Sequence, residues 1–302
     1  MPRPIGEDLL ALVPSGAELV LDVDVAQLRG WDETERILAL LPPAGRARLA
    51  RLGPHWLGEI DGLAAGAWRG PEGTTSVVVL RGDLDDEHLP ALLDGAPVRH
   101  ELDGHVLYEG DGGAVLRIGP RLVAVGPPVE VRRVAEVVRG DAQGMREAGA
   151  DRALRAALQR APGGRGGRPA ILGAAIAGPL LQGRVEAAGL GGRVPEAAAF
   201  ALAVGDGLDA VLVLAFHAPE EALALRREAD RQLRDLRGRP FVRMIGLAGA
   251  LDVVIAARDR ETRFAYRLSA ERLGGYLDRL DRARRAFEEQ QAEPREAPST
   301  AR

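Results

Sequence analysis

Two pairs of residues have side chains and spacing suited to holding a metal ion or moving a proton. Asp22 and Asp24 alternate along a predicted strand, so both carboxylates project from the same face. His100 and His105 flank a predicted Asp-Gly turn. Carboxylate and imidazole groups serve as metal ligands and as general acids or bases. These four residues are therefore the metal-site candidates, and a metal-dependent hydrolytic enzyme is the alternative function that they allow.

Both pairs also have an explanation that needs no chemistry. Alternate acidic residues are usual on the solvent side of a half-buried sheet, and Asp24 is positioned to cap a following helix. A two-residue turn would leave the two imidazoles offset, with His100 near Tyr108 of the opposite strand. That arrangement lacks the three-ligand geometry of a catalytic zinc site. The sequence therefore favours a non-enzymatic protein without a cofactor.

A third candidate is an arginine-rich helix, where residues 225–239 contain six arginines and three acidic residues. Such a surface suits an anionic partner. The partner-binding candidates are Arg226, Arg227, Arg231, Arg234 and Arg237. The alternative is a solvated face whose charges pair four residues apart along the helix.

The composition excludes several kinds of chemistry. The 302 residues include no cysteine and no lysine. Thiol nucleophiles, disulfides, cysteine-ligated zinc, lysine Schiff bases and phosphate loops that use a lysine are therefore ruled out. A net charge of −4 and an aromatic content of 4% disfavour binding to nucleic acid, which requires a positive surface and stacking side chains.

The elements needed to position these residues recur in the same order in two parts of the chain. Apolar and polar residues alternate in residues 18–25, and a helix, a hairpin, a short helix, a strand meander and a helix follow. A strand, a helix, a hairpin, a helix, a hairpin and a helix then recur from residue 169.

The order predicts an α+β protein with two tandem modules of strand–helix–hairpin–helix–hairpin–helix. Hairpin connections predict mostly antiparallel sheets with the helices on one face. The modules span residues 1–140 and 169–288, a helical and Gly-rich linker spans 141–168, and residues 289–302 form a disordered tail. Whether the two sheets merge is left open by the sequence.

Two segments resemble a known family: LLALVPSGAELVLDVDVAQLRG and LRIGPRLVAVGPPVEVRRVAEVV, together with the helix–hairpin–helix ending. They resemble a loose family of uncharacterised bacterial proteins of myxobacterial type, many of them exported or lipid-anchored. The resemblance implies no catalytic residues. It implies the cell envelope if a leader precedes the chain, whereas the opening residues as written predict a cytoplasmic protein because acidic residues interrupt every apolar stretch.

The leading expectation is a protein that acts by protein–protein interaction or carries an apolar small molecule. Small residues in AILGAAIAG and EAAAFALAVG could leave space for a ligand beside a sheet. The longest uncharged run is too short and too rich in glycine and proline to span a bilayer, so no transmembrane segment is predicted.

Overall fold

The computed structural model describes residues 8–39, 56–70, 73–145, 152–160, 169–187, 194–244, 249 and 252–292. The strands are β1 (Leu19–Asp24), β2 (Ile60–Gly70), β3 (Gly73–Gly82), β4 (Val98–Leu102), β5 (His105–Gly110), β6 (Gly113–Gly119), β7 (Leu122–Gly126), β8 (Ile171–Ile176), β9 (Ala197–Gly205), β10 (Gly207–Ala215), β11 (Val253–Arg258) and β12 (Glu261–Ser269). The helices are α1 (Val25–Arg29), α2 (Thr34–Ala39), α3 (Trp56–Glu59), α4 (Pro128–Arg139), α5 (Arg152–Arg160), α6 (Pro179–Ala187), α7 (Pro219–Gly238), α8 (Pro240–Met244) and α9 (Ala270–Ala292). Short 3-10 helices lie at Leu9–Leu12 and Leu89–Leu92.

These strands form a single twelve-stranded antiparallel sheet. The two parts of the chain join where β1 pairs with β8, with Leu21 opposite Gly173. The prediction of an α+β protein with antiparallel pairing is confirmed, and the question that the sequence left open is answered because the sheets merge.

The strand order is the same on both sides of the β1–β8 junction. Moving outward, one side runs β1, β2, β3, β7, β6 and the other runs β8, β9, β10, β12, β11. The first side continues with β5 and ends at β4. Strands β4 and β11 are therefore the two edges of the sheet.

The register defines a front face and a back face, because directly paired residues of antiparallel strands point the same way. The front face carries Val20 and Leu116, and α4, α5 and the Leu9–Leu12 segment pack on it. The back face carries Val23 and Leu80. It is covered by the Leu89–Leu92 segment, α6, α7 and α9.

The expectation that the helices gather on one face is therefore wrong. Strand β3 shows the reason, since Val77 and Val79 point to the front, Val78 and Leu80 point to the back, and all four are apolar. A strand that is apolar on both sides must be covered on both sides.

Helix α5 fills the space beside the alanine-rich strands β8 and β9. Its Leu154 and Ala157 are fully buried against Ala174, Ala199 and Ala201. Small side chains on the sheet allow a helix to approach closely. The alanines that the sequence interprets as room for a ligand are occupied by this helix, which lies in the segment that the sequence assigns to a linker.

Candidate interaction surface

The hairpin formed by β11 and β12 is built from two apolar-rich strands and a two-residue turn. Arg258 pairs with Glu261 across Asp259 and Arg260, and Asp259 has a φ of 51°. Aspartate tolerates this left-handed conformation better than most residues do. Strand β12 pairs with β10 on its other side, so β11 is left at the edge.

The back of this hairpin is covered. Val253, Ile255 and Ala257 are half-buried on the side where α7 lies. Leu225 of α7 packs with Leu214 and Phe264 in the same layer. Helix α7 therefore packs on the back of the β11–β12 hairpin.

The front of the hairpin is open. Val254 is 68% exposed, Ala256 and Arg263 are also exposed, and Ala265, which pairs with Val254, is half-buried. Next to it on β10, Val211 is buried. An apolar strip bordered by arginines therefore runs along the outer two strands.

Two adjoining shallow cavities mark the inner border of this open surface. One, of about 440 Å³, is lined by Asp209, Asp252, Val254, Ala265 and Arg267, among others. The second, of about 470 Å³, shares Asp209, Arg267 and Ser269 with the first and extends over the turn between β9 and β10. Both are open to solvent, which suits contact with a macromolecule better than enclosure of a small molecule.

The charged groups along this border are paired with each other. Arg267 Nη2 lies 2.5 Å from Asp209 Oδ2, and this hydrogen bond raises the pKa of Arg267. Asp252 forms an ion pair with Arg237 at 3.2 Å and accepts a hydrogen bond from Arg272 at 3.4 Å. The hydrogen bond between Arg272 and the Tyr276 hydroxyl, and then the contact with Asp252, raise the pKa of Arg272. Carboxylates that are held by guanidinium groups are poorly placed to act as general bases.

Ser269, which lines both cavities, also has a structural partner. Its Oγ lies 3.5 Å from the backbone nitrogen of Arg272 at the start of α9. A serine nucleophile needs an adjacent base to activate it. The contacts of the described residues give this serine no such base.

The structure separates the four metal-site candidates. Asp22 and Asp24 lie on the central strand β1, and the Asp24 carboxylate accepts a hydrogen bond from the backbone nitrogen of Gln27 at 2.9 Å, capping α1. Five strand-to-strand steps, about 24 Å, separate β1 from β5, where His105 lies. His100 lies opposite Leu107 rather than Tyr108, and its Nε2 is 3.7 Å from Glu109 Oε2. Within the described ranges, no three histidine, aspartate or glutamate side chains form a group that could hold a metal ion.

The arginine candidates lie on α7 and are partly neutralised. Arg226 pairs with Asp230 at 3.7 Å, Arg231 with Glu228 at 3.2 Å, and Arg237 with Asp252. Among the residues that the structure describes, Arg227 and Arg234 are exposed and make no ion pair. The helix therefore offers two available cations rather than the five that the sequence indicated.

Sequence reasoning missed the hairpin surface. It predicted both strands of the hairpin, but it gave Val254, Ala256 and Ala265 no role. The available signal was the uncharged run VVIAA. Its importance depends on β11 being an edge strand, which only the pairing of distant segments reveals.

No protein-family model matches the chain, and no curated protein matches its sequence. Solved structures do match the chain, and crystal forms of TP0453 are among them. Crystal form III of TP0453 has a TM-score of 0.52 and 12% sequence identity, over 89% of this chain and 96% of that one. Crystal form I has a TM-score of 0.51 and 12% identity, over 90% and 97%. The chain therefore shares its fold with TP0453.

Helices long and apolar enough to cross a bilayer are absent from the described part of the chain.

Proposed function

We propose that the protein is a non-enzymatic binding protein that takes up an extended polypeptide strand alongside β11. The observation that carries this proposal is the uncharged edge strand. From Val253 to Ala257 no residue is charged, and in the part of the chain that the structure describes no strand pairs with the outer side of β11. An unpaired strand edge is a template for another strand, and several recognition domains use it in this way.

The backbone of β11 supports the same conclusion. The two-residue turn is closed by the pair Arg258 and Glu261, so these residues exchange hydrogen bonds, and the hydrogen-bonded pairs then alternate along the hairpin. The N–H and C=O groups of Val253, Ile255 and Ala257 must therefore point away from β12. No described residue pairs with these groups, so they can bond an added strand.

The side chains define the chemistry of that strand. On the front face an added strand would lie beside Val254 and Ala256 and then beside Arg258, whose side chain is 94% exposed. Apolar residues in its middle and an acidic residue near Arg258 would complement this edge. The packing of α5 against β8 and β9 favours this interaction over carriage of an apolar small molecule.

Binding of a synthetic peptide with the sequence of residues 252–258 tests the proposal. The peptide has an apolar centre and an aspartate that falls near Arg258 in an antiparallel pairing. Fluorescence anisotropy should show saturable binding in the micromolar range. Ala257→Pro removes an outward N–H at an edge position that tolerates proline, so affinity should fall about tenfold or more.

The matched control is Glu101→Pro on the opposite edge strand. Glu101 is exposed, and the closing pair Leu102 and His105 makes its N–H point outward by the same alternation. This variant should bind the peptide like the unaltered protein. Equal binding by the Ala257→Pro variant would refute strand addition at β11.

Two broader proposals concern the whole chain. The shared strand order on the two sides of the junction supports the proposal that the halves are copies of one module. The two segments quoted above support a relationship with the myxobacterial-type family, and hence a place in the cell envelope if a leader precedes the chain. Otherwise the proposed location is the cytoplasm.

A further inference from the structure

Strand β11 is complementary to itself, and we infer that the strand it takes up is β11 of a second copy of this chain. This inference rests on the proposed strand addition and names its partner. The two copies would be related by a two-fold axis through Ile255, as closed symmetric dimers usually are. Their two sheets would become one continuous sheet.

The backbone fixes which registers are possible. Groups that point outward must meet groups that point outward, so Val253, Ile255 and Ala257 of one copy must pair with the same set in the other. Centring the pairing on Ile255 sets Val253 opposite Ala257 and Ile255 opposite its own copy. All three residues then exchange hydrogen bonds with the second strand, whereas a slip by two residues leaves one of them unpaired.

The charges at the strand ends select the same register. Asp252 precedes β11 and Arg258 ends it. With Ile255 at the centre, Arg258 of each copy lies beside Asp252 of the other. Asp252 remains 57% exposed with its own arginine contacts, and Arg258 Nε lies 3.7 Å from the carboxylate of its exposed neighbour Asp259. Opposite charges therefore meet at both ends of the paired strands.

The side chains on the open front face complete the match. In this register Val254 of one copy lies opposite Ala256 of the other, in a pair without direct hydrogen bonds, where side chains approach most closely. The exposed apolar strips of the two hairpins then become one strip. A six-residue strand pair buries less area than a permanent dimer interface does, so we expect association in the micromolar range.

Sedimentation equilibrium tests the association. The full chain should pass from monomer to dimer as its concentration rises through the micromolar range. Ala257→Pro should weaken the dimer by about tenfold or more, and Glu101→Pro should leave it unchanged. Circular dichroism confirms that each variant is folded.

Disulfide trapping tests the register, and the absence of cysteine from the chain removes any background. Val254→Cys and Ala256→Cys are both substitutions at exposed positions. The predicted register brings residue 254 of one copy to residue 256 of the other at a distance suited to a disulfide. A mixture of the two variants should therefore cross-link under mild oxidation, and each variant alone should cross-link far less.

The outcomes separate this inference from the proposed function. A chain that stays monomeric at every concentration but binds the 252–258 peptide would overturn the inference and leave strand addition standing. A chain that neither dimerises nor binds the peptide would overturn both. Equal cross-linking of each cysteine variant alone and of the mixture would overturn the register centred on Ile255.

Discussion

The two edge strands of the sheet are protected to very different degrees. Strand β4 carries Arg99, His100 and Glu101, all exposed, and it follows Pro97, which has no N–H to offer at the edge. Strand β11 is uncharged as far as Ala257. Charge and proline on an edge discourage pairing with other chains. The contrast indicates that β4 has the charge and proline that protect an edge strand and that β11 lacks them over residues 253–257.

The two halves also differ in how the front face is covered. The helix after β7, α4, packs on the front face and buries Val131 and Val134. The helix after β12, α9, packs on the back face instead, where Leu273 and Leu277 meet Trp31 from the first half. Strands β7 and β12 occupy equivalent positions in the strand order, but the helices that follow them pack on opposite faces of the sheet. Among the described residues, no helix covers the front of β11 and β12 as α4 covers that of their counterparts.

The largest effect that would test this difference is on stability. Leu116 is fully buried on the front of β6. The Leu116→Ala variant should have an unfolding free energy about 3 kcal/mol lower than that of the parent protein, since the change leaves a cavity. Val254→Ala on the open front of β11 should change it by about 0.5 kcal/mol at most. Urea denaturation measures both. A comparable loss in Val254→Ala would mean that the front of β11 is covered.

A smaller effect is expected when β4 is given the character of β11. Arg99 and Glu101 are the charged residues of β4 whose backbone N–H and C=O groups point outward. The double variant Arg99→Val and Glu101→Val removes both of these charges. Self-association should become about tenfold stronger, as judged by sedimentation. Adding Ala257→Pro to this variant shows which edge is responsible, since association through β4 is insensitive to it. An unchanged association constant in the double variant would show that charge is not what closes this edge.

The smallest effect concerns the ion pairs of Asp61 with Arg29 and Arg121 in the first half. Burial alone would raise the pKa of Asp61, but the hydrogen bonds and charges of Arg29 and Arg121 outweigh it and lower that pKa. The stability that a lowered pKa provides is present at neutral pH and is lost below about pH 4 as the carboxylate is protonated. Asp61→Asn should therefore lower the melting temperature slightly at pH 7, with the difference disappearing in acid.

The control for this pH experiment is Asp259→Asn in the turn of the β11–β12 hairpin. The Asp259 side chain is 87% exposed and contacts only the exposed Arg258 at 3.7 Å in the described part of the chain. Its replacement should leave the melting temperature unchanged across the pH range. A difference between the Asp61→Asn variant and the parent that persists in acid would show that the ion pair is not its source.

Local pattern was enough to predict much of the fold. The turn at Asp103-Gly104 was predicted from an Asp-Gly pair and has φ values of 54° and 82°. The helix predicted after the strand meander is α4, which buries Val131, Val134 and Ala135. Features of this kind depend on neighbouring residues, which a sequence displays directly.

The positions of the helices relative to the sheet were not predictable in the same way. The side of β1 that carries Asp22 and Asp24 was predicted to face solvent, yet Val20, which lies on that side, is 1% exposed. The Leu9–Leu12 segment and α4 cover that side of the strand. The alternation of residues within β1 gives no information about these other segments. The candidate surface was missed for the same reason, since nothing within VVIAA distinguishes an edge strand from a central one.

The junction between β1 and β8 has a consequence for the synthesis of the protein. A ribosome completes the whole first half before β8 exists, so β1 lacks its outer neighbour for about ten seconds or more at ordinary rates of translation. During that interval the nascent chain presents a temporary edge in the middle of its future sheet. Asp22 and Asp24 place two carboxylates beside that edge, where charge discourages premature pairing with other chains until β8 emerges.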